Sequence, residues 1–193
     1  MSRLITNAIR STSATADAIT MDGSGNVTFP ANATCSGTAT GFGKILQVIQ
    51  TTKTDTFTTT TTSYSDVTGL SANITTTGSN KVLVMVQCSV LAGDAGTGLK
   101  IMRGSNDIFL ADSNGGRARH TVTGFYTGNT GEHSGGGGCF MCYLDTPSAG
   151  THTYKVQCMT RGGTIYINRT ERNSNDTNSS VSTSSITLQE VAA

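Results

Sequence analysis

The chain has 193 residues, enough for one core-forming domain plus an appendage, and its formal net charge is only +1. Charged residues make up 13% and apolar ones 35%, against about 25% and 45–50% in an ordinary soluble domain; Thr, Ser, Asn and 23 Gly fill the difference. This balance argues against a basic nucleic-acid binder and an acidic tail, no segment approaches the ~20 apolar residues of a membrane span, and the threonines favour pleated strands over helices.

In chain order, Leu4 to Arg10 shows helix-like spacing, but nothing caps it. Ile19 to Gly43 then alternates like strands punctuated by turns. Val27 and Phe29 flank Thr28 after an Asp22-Gly23-Ser24-Gly25-Asn26 turn, and thereafter Thr, Ser, Ala and Gly dominate. Ordering each backbone residue costs about 1–2 kcal/mol, and this stretch has few large apolar side chains to offset it. The missing surface is expected from identical chains or from a larger assembly.

Residues 44 to about 80 form a transition. Lys44 to Gln50 reads as a strand, the threonine run Thr58 to Thr62 follows, and Ser65 to Thr75 suggests a strand with a bulge or turn at Gly69. From Lys81 the spacing is that of a compact all-β domain. Val82 to Val86 is apolar at both parities, the pattern of a central strand covered on each side. Further strands are expected at Leu99 to Arg103, Ile108 to Ala111, His120 to Tyr126, Cys139 to Leu144, Thr153 to Met159, Thr164 to Asn168 and Ser185 to Val191. Ser134 to Gly138 and Asn173 to Ser180 read as flexible loops. Short strands separated by Gly, Asn, Ser or Pro indicate a sandwich or barrel.

Each chemically suggestive feature has a plainer reading. Cys139 and Cys142 have C-x-x-C spacing, but within a strand the i and i+3 side chains leave opposite faces, so the sulfurs should diverge. Cys88 and Cys158 stand singly on other strands, as core packing rather than a zinc site. Five cysteines, an odd number, and no apolar signal-like run in the opening residues predict reduced thiols and synthesis in a cytosol. His120, His133 and His152 are read as hydrogen-bonding residues; in a trimer one of them could meet its copies on the threefold axis. No nucleophile elbow, zinc-protease helix or phosphate loop occurs. Asp94, Asp107, Asp112, Glu132 and Asp145 are scattered in turn-like contexts, which argues against a glycan-cleaving pair. Arg161, Arg169 and Arg172 lie in a stretch that also holds Glu171, a solvated strand edge rather than a phosphate footprint. The glycosylation sequons, Asn168-Arg169-Thr170 among them, are expected by chance in so Thr- and Asn-rich a chain.

From residue 44 onward, KVLVMVQCSV, the turn Thr146-Pro147-Ser148 followed by GTHTYKVQC, and the closing SSITLQEV resemble a jelly roll of the tumour-necrosis-factor-like kind, which normally forms trimers. The opening GNVTFPANATCSGTATG resembles the attachment or stem region of bacteriophage virion proteins, tail fibres in particular. The resemblance implies an all-β jelly-roll head over 44–193, an extended N-terminal arm over 1–43, and a homotrimer burying Ile45, Leu46 and Val48. It further implies that the arm docks on another virion protein through Arg3, Leu4, Ile5, Ile19, Val27 and Phe29. Tyr126, His133, Tyr166 and Arg169 are the expected contacts to a host surface glycan or protein. The expected role is a non-enzymatic virion-surface component, made in the host cytoplasm, with no cofactor, metal, nucleic acid or membrane insertion. A tail fibre or tail appendage leads, a capsid decoration protein (cement or head fibre) is the alternative, and a secreted lectin-like protein is a further one.

Overall fold

Asp22 organises the first structured turn of the chain. In the computed structural model, which describes residues 7–10, 12–29, 45–92, 96–123 and 137–192, its Oδ1 accepts from the amides of Ser24 and Asn26, each at 2.9 Å. Its Oδ2 accepts from Asn26 Nδ2 at 2.7 Å, and Gly25 takes φ +84°. This turn joins β2 (Ile19–Met21) to β3 (Val27–Thr28), and β1 (Ala8–Ile9) pairs with β2 on its other side. Of the helix-like stretch Leu4 to Arg10 only residues 7–10 are described, and there Ala8–Ile9 pair as a strand with β2, which satisfies backbone groups that an uncapped helical turn leaves open. Where an extended arm was expected, the described residues form a three-stranded meander. None of them is buried, which matches a segment too poor in large apolar residues to make a core.

The chain divides into two compact units, Met1–Phe42 and Gly43–Ala193. The second is all-β among its described residues. Its strands are β4 (Ile45–Lys53), β5 (Phe57–Thr59), β6 (Ser65–Thr76), β7 (Lys81–Ala92), β8 (Gly98–Arg103), β9 (Asn106–Phe109), β10 (Val122–Thr123), β11 (Gly137–Asp145), β12 (Gly150–Met159), β13 (Ile165–Ile167) and β14 (Ser184–Val191). Sheet I runs β4-β14-β7-β13-β5, with β11 also paired to β7; sheet II runs β10-β8-β12-β6, with β9 also paired to β8. The antiparallel pairs are nested: β4 with β14, β6 with β12, β7 with β11, and β8 with β10.

Alternation fixes which side of each strand is dry. Val82, Val84, Val86, Cys88 and Val90 of β7 join Ile186 and Leu188 of β14 on the inner face of sheet I. Opposite them lie Leu70 and Ile74 of β6, Leu99 and Ile101 of β8, and Tyr154, Val156 and Cys158 of β12, all in one cluster. Burying such side chains contributes about 1.5–3 kcal/mol each. The other face of β7 departs from expectation. Leu83 and Met85 are only half-buried and Gln87 is exposed, so the central strand is covered on one side only.

Local deviations have identifiable causes. Gly69, at φ +82°, sits where β6 bulges: Ser71 pairs with Lys155 but Asp66 with Gln157. The strand expected at Ile108 to Ala111 begins earlier, at Asn106, because Gly104 at φ +58° turns the β8–β9 hairpin in two residues. The strand expected over His120 to Tyr126 is Val122–Thr123 within the described residues. The loop expected to be flexible at Asn173 to Ser180 is bonded to itself. Ser174 N donates to Ser179 Oγ at 3.0 Å, Asn178 N to Asp176 Oδ1 at 3.0 Å, and Arg172 pairs with Asp176 at 2.7 Å.

Two buried polar residues are fully paired. Asp145 accepts from Arg103 Nη1 at 2.6 Å and from the Tyr154 hydroxyl at 2.7 Å. Asn168, fully buried at φ +61°, donates through Nδ2 to the carbonyls of Lys53 (2.9 Å) and Asp55 (3.0 Å) and accepts from Ser184 Oγ at 2.6 Å. Its amide nitrogen is thereby consumed, which removes the Asn168 sequon as an accessible acceptor.

Candidate interaction surface

Strand register places the outward side chains of sheet I in rows. Leu144 of β11 lies opposite Leu83 of β7, Leu83 opposite Gln189 of β14, and Gln189 opposite Val48 of β4. The next row is Cys142, Met85, Thr187 and Gln50, with Gln50 Nε2 donating to Thr187 Oγ1 at 2.8 Å. The third is Phe140, Gln87, Ser185 and Thr52, and Lys81, Val191 and Ile45 close the end. Strict alternation would put Ile45 and Val48 on opposite faces. The register shift between Glu190 and Val191 brings both outward.

The face is unusually apolar for one exposed to water. Phe140 is 65% exposed, Ile45 54%, Val48 53%, Leu144 46% and Leu46 40%. In these rows the one charged residue is Lys81, at the margin. Exposed apolar side chains on β11, β7 and β4, separated by Gln189, Thr187 and Ser185 of β14 and almost without charge, mark an interaction surface more often than ordinary solvent-exposed sheet.

The outer face of sheet II is built otherwise. Lys155 pairs with Asp66 at 2.8 Å, and Gln157 Nε2 reaches the same carboxylate at 2.7 Å. These two donors hold the Asp66 carboxyl below its ordinary range, Lys155 contributing most. Lys100 pairs with Asp107 at 2.6 Å and lies 4.1 Å from the centre of the Tyr64 ring. Tyr64 donates to the Arg119 carbonyl at 2.6 Å and contacts His120 Nδ1 at 2.5 Å. Burial lowers the His120 pKa and raises that of Tyr64. A shallow groove of about 500 Å³, lined by Met102, Ser105, Thr153, Lys155 and Gln157, crosses this face.

The expected contact residues are distributed as follows. Ile45, Leu46 and Val48 are all exposed on β4. Tyr166 pairs with Leu91 of β7, so it occupies the outer side of sheet I, about 30 Å along β7 from the Ile45 end. The Arg169 guanidinium stacks on its ring at 4.7 Å, making one compact aromatic–cation pair. Ile19, Val27 and Phe29 lie in the first unit, Val27 and Phe29 about half exposed. Arg3, Leu4, Ile5, Tyr126 and His133 lie outside the described residues.

The other chemical candidates separate. Cys139 is buried while Cys142 is exposed on the opposite side of β11, so the two sulfurs diverge. Asp107 and Asp145 are held by different cations, Lys100 and Arg103. Phe140, Leu144, Leu83 and Met85 were not expected at an interface. The signal was present in CFMCYL and VLVMV, which are apolar at both parities. No protein-family model matches this chain, and no curated protein is similar to it in sequence.

Proposed function

We propose that the chain is a non-enzymatic structural protein that assembles with copies of itself into a homotrimer through the outer face of sheet I, as a surface component of a bacteriophage particle. The observation that carries the self-assembly reading is the contrast between an outer face with exposed Phe140, Leu144, Val48 and Ile45 and a single charge at its margin, and an ion-paired polar face on the other sheet. The nested pairing of first strand with last, and so inward, is the connectivity of a jelly roll, and it supports the trimeric jelly-roll reading. The virion assignment rests on the resemblance of the N-terminal segment to phage attachment regions. In the leading version the protein is a tail appendage, its first unit docks on another virion protein, and Tyr166 with Arg169 contributes to host contact.

Light scattering after size exclusion tests the assembly. A mass near three times the 20.0 kDa chain is expected, and a stable monomer at micromolar concentration would overturn the proposal. Binding of the trimer to host cells supports the tail role. Binding to assembled capsids without binding to cells replaces it with capsid decoration.

A further inference from the structure

Three cysteines face the same core, and two of them are set directly across a strand pair. Cys139 of β11 lies opposite Cys88 of β7, both side chains are buried, and both belong to the one hydrophobic cluster. Directly opposed residues in an antiparallel ladder have Cα atoms about 4.5 or 5.5 Å apart, depending on the type of pair. Both values fall within the roughly 4.4–6.8 Å that a disulfide spans. Cys158, across the core on β12, pairs in register with Leu99 and Ser65 and belongs to the other sheet. Cys142 leaves β11 on the opposite face. Among the described cysteines, the topology thus selects one partner for Cys139.

We propose that Cys88 and Cys139 form an oxidisable pair that closes to a core disulfide when the protein meets an oxidising thiol–disulfide medium. The two neighbouring sulfurs act on each other, holding Cys139 below the ordinary thiol range and Cys88 well above it. Burial pushes Cys158 up to about 12, which keeps it protonated near neutral pH. With oxidised glutathione as the oxidant, the Cys139 thiolate attacks one sulfur of the glutathione disulfide and releases one glutathione thiolate. Cys88 then loses its proton and attacks Cys139 Sγ, releasing the second. Two protein thiols are oxidised and one glutathione disulfide is reduced to two thiols. Access comes through β11, which among the described residues pairs with β7 alone, so local opening of that one ladder exposes both sulfurs.

The consequence is mechanical. Strand β11 carries Phe140 and Leu144 of the apolar outer face, and a bond from Cys139 to Cys88 pins that strand to the centre of the sheet. The crosslink also closes a loop of about 50 residues, which constrains the unfolded chain. The pair stays open in a reducing cytosol and closes after release from it.

The test uses the full-length chain, equilibrated with a reduced or an oxidised glutathione buffer, alkylated and mapped by peptide mass spectrometry. The expected product is an intramolecular 88–139 peptide pair together with a rise in Tm of about 10 °C. Cys142→Ala should keep both effects and Cys139→Ser should lose both. A fully reduced 88–139 pair after equilibration, a bond mapped instead to Cys158, or crosslinking only between chains through Cys142 would overturn the proposal. So would a mapped 88–139 bond that lowers Tm, since the site would then be strained rather than preset. Because mapping is done on the unaltered protein, a misfolded variant leaves the test intact. The oligomeric mass, read in the same samples, is not part of the criterion, so failure of the thiol pair is distinguishable from failure of the assembly.

Discussion

The two outer faces of the second unit are made from strands of similar length and geometry, yet they solve exposure differently. Sheet II meets water with Lys155, Asp66, Gln157, Lys100 and Asp107, each cation matched to a carboxylate. Sheet I presents Phe140, Leu144, Val48 and Ile45, with Leu83 and Met85 half-covered between them. A fold needs only one dry face per sheet, so the polar face is the ordinary outcome and the apolar one calls for a cause. A monomer gains nothing from exposing these side chains and is put at risk of aggregation. In the proposed assembly, burial against another copy supplies the cause.

The largest expected effect comes from breaking that contrast. Val48→Lys with Leu144→Lys places two unpaired charges in one row of the apolar face. We expect the apparent dissociation constant of the oligomer to rise at least 100-fold, about 3 kcal/mol, with Tm falling toward that of the isolated subunit. Sedimentation velocity across a concentration series measures it; an undiminished trimer would mean that the face is not the interface.

One residue further along β11 the expectation reverses. Asp145 faces inward, and Asp145→Ala leaves the buried Tyr154 hydroxyl and the Arg103 guanidinium without their acceptor. A loss of about 3 kcal/mol in urea unfolding is expected, with no change in subunit affinity. Leu144 and Asp145 are adjacent in sequence and belong to different problems, assembly and folding. If both variants altered subunit affinity, the division between faces would be wrong.

Much of this organisation was legible in the sequence. The all-β class, the turn at Asp22 to Asn26, the bulge at Gly69 and the divergence of Cys139 from Cys142 all follow from period-two alternation and turn chemistry, which are local. What misled was apolarity at both parities. Val82 to Val86 suggested a strand covered on both sides, and among the described residues nothing buries Leu83 and Met85 on the outer side. Alternation reports that a face is dry, not which molecule dries it. The helix-like spacing near Leu4 to Arg10 failed for a related reason, because seven residues cannot reveal that β2 offers a pairing edge. The stacking of Arg169 on Tyr166 and the juxtaposition of Cys88 with Cys139 depend on register between distant strands, which a single sequence does not encode visibly.

A smaller effect separates the inner polar groups from the outer ones by pH. Glu190 of β14 is buried and accepts from Gln47 Nε2 at 2.6 Å and Asn80 Nδ2 at 2.8 Å. These bonds, that from Gln47 first, lower its pKa from the ordinary 4.5. A depressed folded-state value means that stability is present above about pH 4.5 and is lost as pH falls through the folded value. Glu190→Gln should therefore cost on the order of 1 kcal/mol at pH 7 and progressively less as pH falls below about 4.5 through the folded value. Other carboxylates, Asp66 among them, steepen the acid limb equally in both proteins, so the difference between the two curves isolates Glu190. A constant offset from pH 3 to pH 7 would assign its contribution to packing instead.

The smallest expected effect is also the sharpest control on the comparison. Lys155 lies on the polar face and is paired to Asp66, whose carboxylate is about half exposed. Water and salt screen such a pair, and Asp66 keeps its bond from Gln157 when the lysine is removed. Lys155→Ala should thus cost less than 1 kcal/mol in urea unfolding, a cost that shrinks further in 1 M salt. It should leave the sedimentation profile unchanged. A drop to monomer in this variant would assign subunit contact to the ion-paired face and leave the apolar face of sheet I free for a different partner. An unchanged profile, together with loss of assembly on substituting Val48 and Leu144, would localise self-association to one side of the sandwich and leave the polar face open for other contacts in the assembled protein.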